Sequence, residues 1–141
     1  MRIWHYKLLR CLPDKQFRGQ LRELVLIMRD WRDKGTTNHL LINKVMEYPK
    51  SELVEYFKLY NEVYQERYGK SVSQKIVDEF DDFAQTGMGI RTKLFDGWHD
   101  TIYLAICNYN LYEKHFYAVG KSRISDDEWD YFQNYVQKYC W

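Results

Sequence analysis

The sequence predicts an all-α (mainly α) fold: a compact single-domain helical bundle over residues 1–141 with an N-terminal arm. Three observations predict it. Phe17, Leu21, Leu24, Met28 and Trp31 step by four, three, four and three, which puts them on one helix face. Start and stop signals bracket further segments, as in Ser125-Asp126-Asp127-Glu128 and Tyr68-Gly69. Alternating runs that would mark a half-buried strand are scarce, with residues 116–119 the one short extended candidate.

The elements follow in chain order. The first dozen residues read as an irregular or extended arm. Pro13 fits the first turn of a helix, where its missing N–H costs nothing. That helix is expected from about Pro13 to Asp30, with Asp33-Lys34-Gly35 as its stop. Thr36, Thr37 or Asn38 is placed to cap a shorter second helix reaching Met46. Tyr48-Pro49 then forces an extended step. A third helix runs from Ser51 through Leu53, Phe57, Tyr60 and Tyr64 to Tyr68-Gly69. Ser71 or Ser73 caps a fourth, carrying Ile76, Val77, Phe80 and Phe83. Residues 86–89 read as a loop, and residues 100–114 as a helix. Ser125 with Glu128 forms a capping box that opens a last helix to about Tyr139, its acidic first turn favoured by the helix dipole.

Composition narrows the function classes. The three cysteines, Cys11, Cys107 and Cys140, lack zinc-site spacing and are too sparse for a disulfide framework. Met1-Arg2-Ile3-Trp4-His5 opens no signal peptide, and no run has the ~18 apolar residues of a membrane span. A soluble, cytoplasmic protein is expected, with no membrane, metal or cofactor among its partners. The net charge of +1 hides a split. Residues 1–50 carry 11 Lys/Arg against 5 Asp/Glu, and the remainder carries 10 against 15. The N-terminal third thus has the charge to approach phosphates; the alternative is a dipolar surface with no partner.

The first helix concentrates that charge. At 100° per residue, Lys15, Arg18, Arg22 and Arg29 fall on a flank about 100–160° from the apolar stripe. Glu23 is the single carboxylate beside them. A solvated face accounts for such a strip; the excess of arginine favours phosphate, whose oxygens match the guanidinium fork.

Met1-Arg2-Ile3-Trp4-His5, Leu12-Pro13 and Gly19-Gln20-Leu21-Arg22-Glu23 together resemble the pyrimidine-dimer DNA glycosylase family. Phage endonuclease V is its founding member. A bacterial branch opening Met-Arg-Leu-Trp-His is the more similar. The resemblance is specific over residues 1–24 and fades beyond them. It implies a helical bundle of the phage endonuclease V type and a bifunctional DNA glycosylase/AP lyase. It implies double-stranded DNA with a damaged or modified base as partner, no cofactor, and no particular oligomeric state.

The chemistry so implied is covalent amine catalysis. N-terminal amines ionise at about pH 8, so a useful fraction is nucleophilic in the cell. The amine attacks the sugar's anomeric carbon, the base leaves, and an imine links protein to DNA. A carboxylate stabilises the cationic intermediate and assists proton removal from the neighbouring carbon. β-Elimination then cuts the strand. On the resemblance, Met1 supplies the amine and Glu23 the carboxylate. Arg2 and Arg22 hold phosphates, with Arg18, Trp4, His5, Gln20 and His39 completing the DNA-binding set. Two departures, Gln16 for a family histidine and Leu26 for a family arginine, bear on lesion recognition more than on the amine–carboxylate pair.

Several of these residues have a second reading. Trp4 either stacks on a base or packs on the first helix. His5 either contacts phosphate or tunes the amine. His39 is a second active-site group or structural, and His99 a helix-start element. Gly87-Met88-Gly89 with Arg91 and Lys93 lacks the phosphate-loop pattern. Glu113, Lys114 and His115 give no metal geometry. Tyr131, Tyr135, Tyr139 and Trp141 form a stripe read as core. For the whole chain the competing functions are a non-catalytic nucleic-acid- or protein-binding helical domain and an unrelated helical protein.

Overall fold

The computed structural model describes residues 1–84 and 94–141. Residues 86–89, Arg91 and Lys93 of the expected loop lie outside the described residues. The described residues are α-helical, with short 3₁₀ turns and no strand. The helices are α1 (Asp14–Lys34), α2 (Lys50–Tyr68), α3 (Gln74–Ala84), α4 (Thr101–Phe116) and α5 (Asp126–Tyr139). The chain groups into two compact units. One holds Met1–Ile3 and Gly19–Asp96, and the other Trp4–Arg18 and Gly97–Trp141.

In the first unit, α1 runs beyond the expected Asp30 to Lys34. Gly35 at φ 73° stops it, and the Gly35 N–H donates to the Asp30 and Trp31 carbonyls. Leu24, Ile27 and Met28 are fully buried, while Leu21 and Trp31 are half-buried. α2 begins one residue after Pro49 and ends at Gly69 in the left-handed conformation, as the sequence predicts. α2 and α3 pack through Phe57 and Phe80, whose parallel rings lie 4.0 Å apart. Asn61 holds the turn between them, accepting from the Val72 N–H at 2.9 Å. Arg29 reaches from α1 to Glu79 on α3 through two hydrogen bonds of 2.8 and 3.1 Å. The helix expected before Met46 is instead a 3₁₀ turn, Ile42–Glu47. Asn43 there accepts from both the N–H and hydroxyl of Thr37. These side-chain bonds compete with an α-helical start.

The second unit overturns the expectation of an arm. Residues 4–12 fold inward through a 3₁₀ turn at Tyr6–Leu8, burying Trp4, His5, Leu8, Leu9, Cys11 and Leu12. Pro13 accepts the first bond of α1 from Phe17, placing proline just before the helix. Asp100 caps α4 by accepting from Tyr103. Ser125 caps α5 by accepting from Glu128. The Glu128 carboxylate also accepts from the Asp14 N–H, which caps α1 as well. Residues 116–119 form no strand; α4 occupies Phe116, Tyr117 is helical in conformation and Val119 is extended. The stripe read as core is corrected: Tyr131, Tyr139 and Trp141 are exposed. The buried face of α5 is Phe132 and Val136, continued by Cys140 at its C-cap, at spacings of four.

Candidate active site

The first unit fastens the chain's start to α1. Gln20 and Glu23 lie three residues apart on that helix and so share a face. The Arg2 N–H donates to Glu23 Oε2 at 3.1 Å. Gln20 Nε2 donates to the Arg2 carbonyl at 2.8 Å and to Glu23 Oε2 at 3.4 Å. Behind them, the Tyr56 hydroxyl on α2 donates to Gln20 Oε1 at 3.0 Å. Gln20 and Tyr56 are fully buried. Each such bond adds about 1 kcal/mol net, and a lost partner costs more because its mate stays dry. Both backbone polar groups of Arg2 are therefore held.

Met1 is 45% exposed. Its α-nitrogen is three covalent bonds from the Arg2 nitrogen, hence within ~4 Å of it and within ~7 Å of Glu23 Oε2. An open terminal position and a fixed carboxylate thus stand a few ångströms apart.

The other predicted site residues divide. Arg22 is exposed on α1, its guanidinium Nη2 3.6 Å from where a Cβ on Gly19 would sit. His39 is exposed, and its backbone N–H is held by the Thr37 hydroxyl at 3.1 Å. Of the cationic strip, Arg29 is ion-paired to Glu79 and Arg18 to Asp14, both at 2.8 Å. Those two guanidinium groups are partly neutralised within the protein.

Three of the predicted DNA contacts are buried in this structure. Gln20 has no exposed surface and its amide bonds inward. Trp4 is 6% exposed, buried rather than open to a base. His5 is 1% exposed, and its Nδ1 accepts from the Lys7 N–H, capping the 3₁₀ turn. Burial, outweighing hydrogen bonds to the His99 backbone, pushes its pKa down to about 4. A buried neutral ring brings no positive charge to a phosphate at neutral pH. His99, stacked on His5 at 5.0 Å, is also held well below the usual histidine range by burial. It lies just before the α4 cap and accepts from the Tyr6 N–H at 3.2 Å, which extends the helix-start reading.

Sequence reasoning missed Tyr56 and the buried Glu52, which accepts from the Phe95 N–H at 2.9 Å. Tyr56 directly precedes Phe57 of the predicted face, and a tyrosine at a core position needs a polar partner for its hydroxyl. That need was the available signal.

Residues 1–75, more than half the chain, match the family described as pyrimidine dimer DNA glycosylase. The chain belongs to this family. No curated protein and no solved structure matches it. Pyrimidine dimer DNA glycosylases are enzymes of damaged DNA, so the family membership implies DNA with damaged bases as substrate. The matched residues include Met1, Arg2, Gln20, Glu23 and Tyr56, which the hydrogen bonds above bring together. Among the described residues, no group of three His, Cys, Asp or Glu side chains is disposed to hold a metal ion. Among them, too, no helix is long and apolar enough to cross a membrane.

Proposed function

We propose that the chain is a bifunctional DNA glycosylase/AP lyase in which the Met1 α-amine is the nucleophile and Glu23 the assisting carboxylate. The observation that carries this reading is the 3.1 Å hydrogen bond from the Arg2 N–H to Glu23 Oε2. It keeps residue 1 and the carboxylate within a few ångströms, room for one sugar carbon between them. The neutral amine attacks C1′ of the damaged nucleotide, the base departs with its bonding electrons and takes up a proton, and the attacking nitrogen gives one up; its lone pair then breaks the C1′–O4′ bond, the ring oxygen takes a proton, and the protonated imine results. The cationic imine faces the Glu23 carboxylate, which stabilises it and accepts a C2′ proton. The electrons left on C2′ expel the 3′ phosphate, and the strand is cut. Arg2 and Arg22 hold flanking phosphates, with His39 as a further contact. The flipping or kinking needed to expose C1′ follows from the chemistry. A pyrimidine dimer or another damaged base is the lesion.

The test is reductive trapping. Protein beginning at Met1 is incubated with borohydride and duplex DNA carrying either an abasic site or ultraviolet lesions. A covalent adduct that persists in EDTA and disappears on acetylation of the α-amine is the expected result. Salt-dependent binding with no adduct would make the protein a non-catalytic DNA-binding domain instead. Adduct on abasic DNA but not on irradiated DNA would keep the lyase and reject the dimer as substrate.

A further inference from the structure

Two thiols from opposite ends of the sequence meet at one end of a turn. Cys11 and Cys140 are both buried, 1% and 4% exposed. Cys11 Sγ donates to the Leu8 carbonyl at 3.4 Å, and Cys140 Sγ donates to the Lys7 carbonyl at 3.5 Å. Lys7 and Leu8 are consecutive residues of the 3₁₀ turn Tyr6–Leu8. Carbonyls of a helical turn point along its axis towards the C-terminal end, so the two sulfurs converge on one spot. The Cys11 thiol is within hydrogen-bonding reach of Cys140 itself. Both sulfurs also border Tyr135 of α5, whose pKa is raised by burial and raised further by the two of them. The spacing of these cysteines announces no pair; packing of residues 4–12 against α5 makes it.

The two sulfurs are not equivalent. Cys140 is the C-cap of α5 and lies between Tyr139 and Trp141, both well exposed. Helix ends fray, so a small opening there brings Cys140 to a reagent. Cys11 lies inside the packed segment and is reached through Cys140. The Cys11 hydrogen bond, helped by the Lys7 charge, holds the Cys140 thiol below its ordinary pKa against the opposing effect of burial. A thiolate is the attacking form in thiol–disulfide exchange. Cys140 has the surroundings of the attacking thiol, and Cys11 is placed to resolve what forms there.

We propose that Cys11 and Cys140 form a reversible disulfide site that exchanges with small disulfides of the glutathione class and, once closed, clasps residues 4–12 to α5. Cys140 releases its proton to solvent, and its thiolate attacks one sulfur of oxidised glutathione. The glutathione S–S bond breaks, one glutathione leaves as thiolate, and a mixed disulfide remains on Cys140. Cys11 gives its proton to that departing thiolate and attacks the Cys140 sulfur. The bond from Cys140 to glutathione breaks, and the second glutathione leaves and takes a proton from solvent. The two protein thiols lose two electrons, and oxidised glutathione is reduced to two thiols.

The full chain, without denaturant, is incubated with oxidised glutathione, quenched in acid and mapped by mass spectrometry. Two of its three thiols are expected to disappear together, in a single Cys11–Cys140 crosslink that a dithiol reductant reverses. The fully buried Cys107 is expected to stay reduced. Cys11→Ser is expected to stop at a glutathione adduct on Cys140, and Cys140→Ser to leave Cys11 unmodified. The crosslinked form is expected to unfold at higher urea than the reduced form, since the bond closes nearly the whole chain into one loop. Three thiols surviving in the wild type overturn the site. Loss of Cys107 alongside the other two also overturns it, because it marks reaction through unfolding. A crosslink that leaves the urea midpoint unchanged overturns the clasp, and an adduct on Cys11 in Cys140→Ser overturns Cys140 as the attacking thiol. The crosslink, Cys107 and urea readings come from wild-type protein, so a variant that fails to fold leaves them standing.

Discussion

The Arg2 backbone amide donates to the Glu23 carboxylate at 3.1 Å, across 21 residues of sequence. The bond needs an oxygen acceptor at position 23 but not a negative charge. The proposed chemistry needs the charge. Anchoring and catalysis are therefore separable by substitution.

Glu23→Gln keeps an oxygen for the Arg2 N–H while removing the charge. Its stability to urea is expected to stay within about 0.5 kcal/mol of wild type, while adduct formation falls at least tenfold. Glu23→Ala is expected to lose adduct and also about 1 kcal/mol of stability, because the anchoring bond has no replacement. Equal adduct yields from the Glu23→Gln variant and the wild-type protein would remove Glu23 from the reaction.

Tyr56→Phe deletes one hydroxyl and leaves Gln20 Oε1 buried without that donor. Denaturant unfolding should register a loss of about 1–2 kcal/mol. The brace behind Arg2 loosens at the same time, so adduct is expected to form severalfold more slowly at saturating DNA with little change in affinity. An unchanged single-turnover rate would confine Tyr56 to stability.

The fold is legible in the sequence wherever a local rule governs it. Gly69 ends α2 and Ser125 begins α5 because left-handed glycine and a serine cap act within a few residues. The 3₁₀ turn before Tyr48 is not legible, since it depends on Thr37 and Asn43 meeting across six residues. Residues 4–12 read as an arm because their apolar residues follow no helical or strand period; only tertiary burial explains them. At the site, the 1–24 motif singles out Arg2, Gln20 and Glu23, but not what each does. Gln20 matches a DNA-binding motif in one dimension and braces a peptide in three. The core position of Tyr56 is legible from its place beside Phe57, but its partner is not, because that depends on contact with α1 rather than on its neighbours in the chain.

Acid is expected to destabilise the protein through His5. In the unfolded chain it titrates near 6.5; folded, burial holds it down to about 4. Between those values the unfolded state binds the extra proton, so stability falls as pH drops from about 6.5 towards 4 and levels below that. The gap corresponds to at most roughly 3 kcal/mol. His99 acts in the same direction. Urea unfolding at pH 7.5 and 4.5 measures the loss. His5→Asn, which retains an acceptor for the Lys7 N–H, is expected to flatten the profile, and an equally steep profile in that variant would assign the titration elsewhere.

Arg22 and Arg29 both belong to the cationic strip, yet among the described residues only Arg29 is forked onto a carboxylate, that of Glu79. If Arg22 meets phosphate, Arg22→Ala removes one released counterion. The slope of log affinity against log salt should then fall by about 0.9 for duplex DNA. Arg29→Gln is expected to leave the slope unchanged while weakening the α1–α3 junction. Fluorescence anisotropy over a salt series distinguishes them, and equal slopes for wild type and Arg22→Ala would exclude Arg22 as a phosphate ligand.

Gly19 lies inside α1, where glycine costs about 0.5–1 kcal/mol relative to alanine. Its φ is not in the left-handed region, and an added Cβ would meet Arg22 Nη2 at 3.6 Å, an ordinary contact. Nothing in the packing therefore requires glycine, and Gly19→Ala is expected to raise stability by up to ~1 kcal/mol. A missing side chain beneath the Arg22 guanidinium does allow a phosphate to approach the helix backbone closely. The same substitution is thus expected to weaken duplex binding severalfold at fixed salt. Melting and anisotropy on one preparation separate the two effects. A more stable protein with unaltered affinity would exclude close approach at Gly19, and a less stable one would contradict the ordinary contact expected for its Cβ.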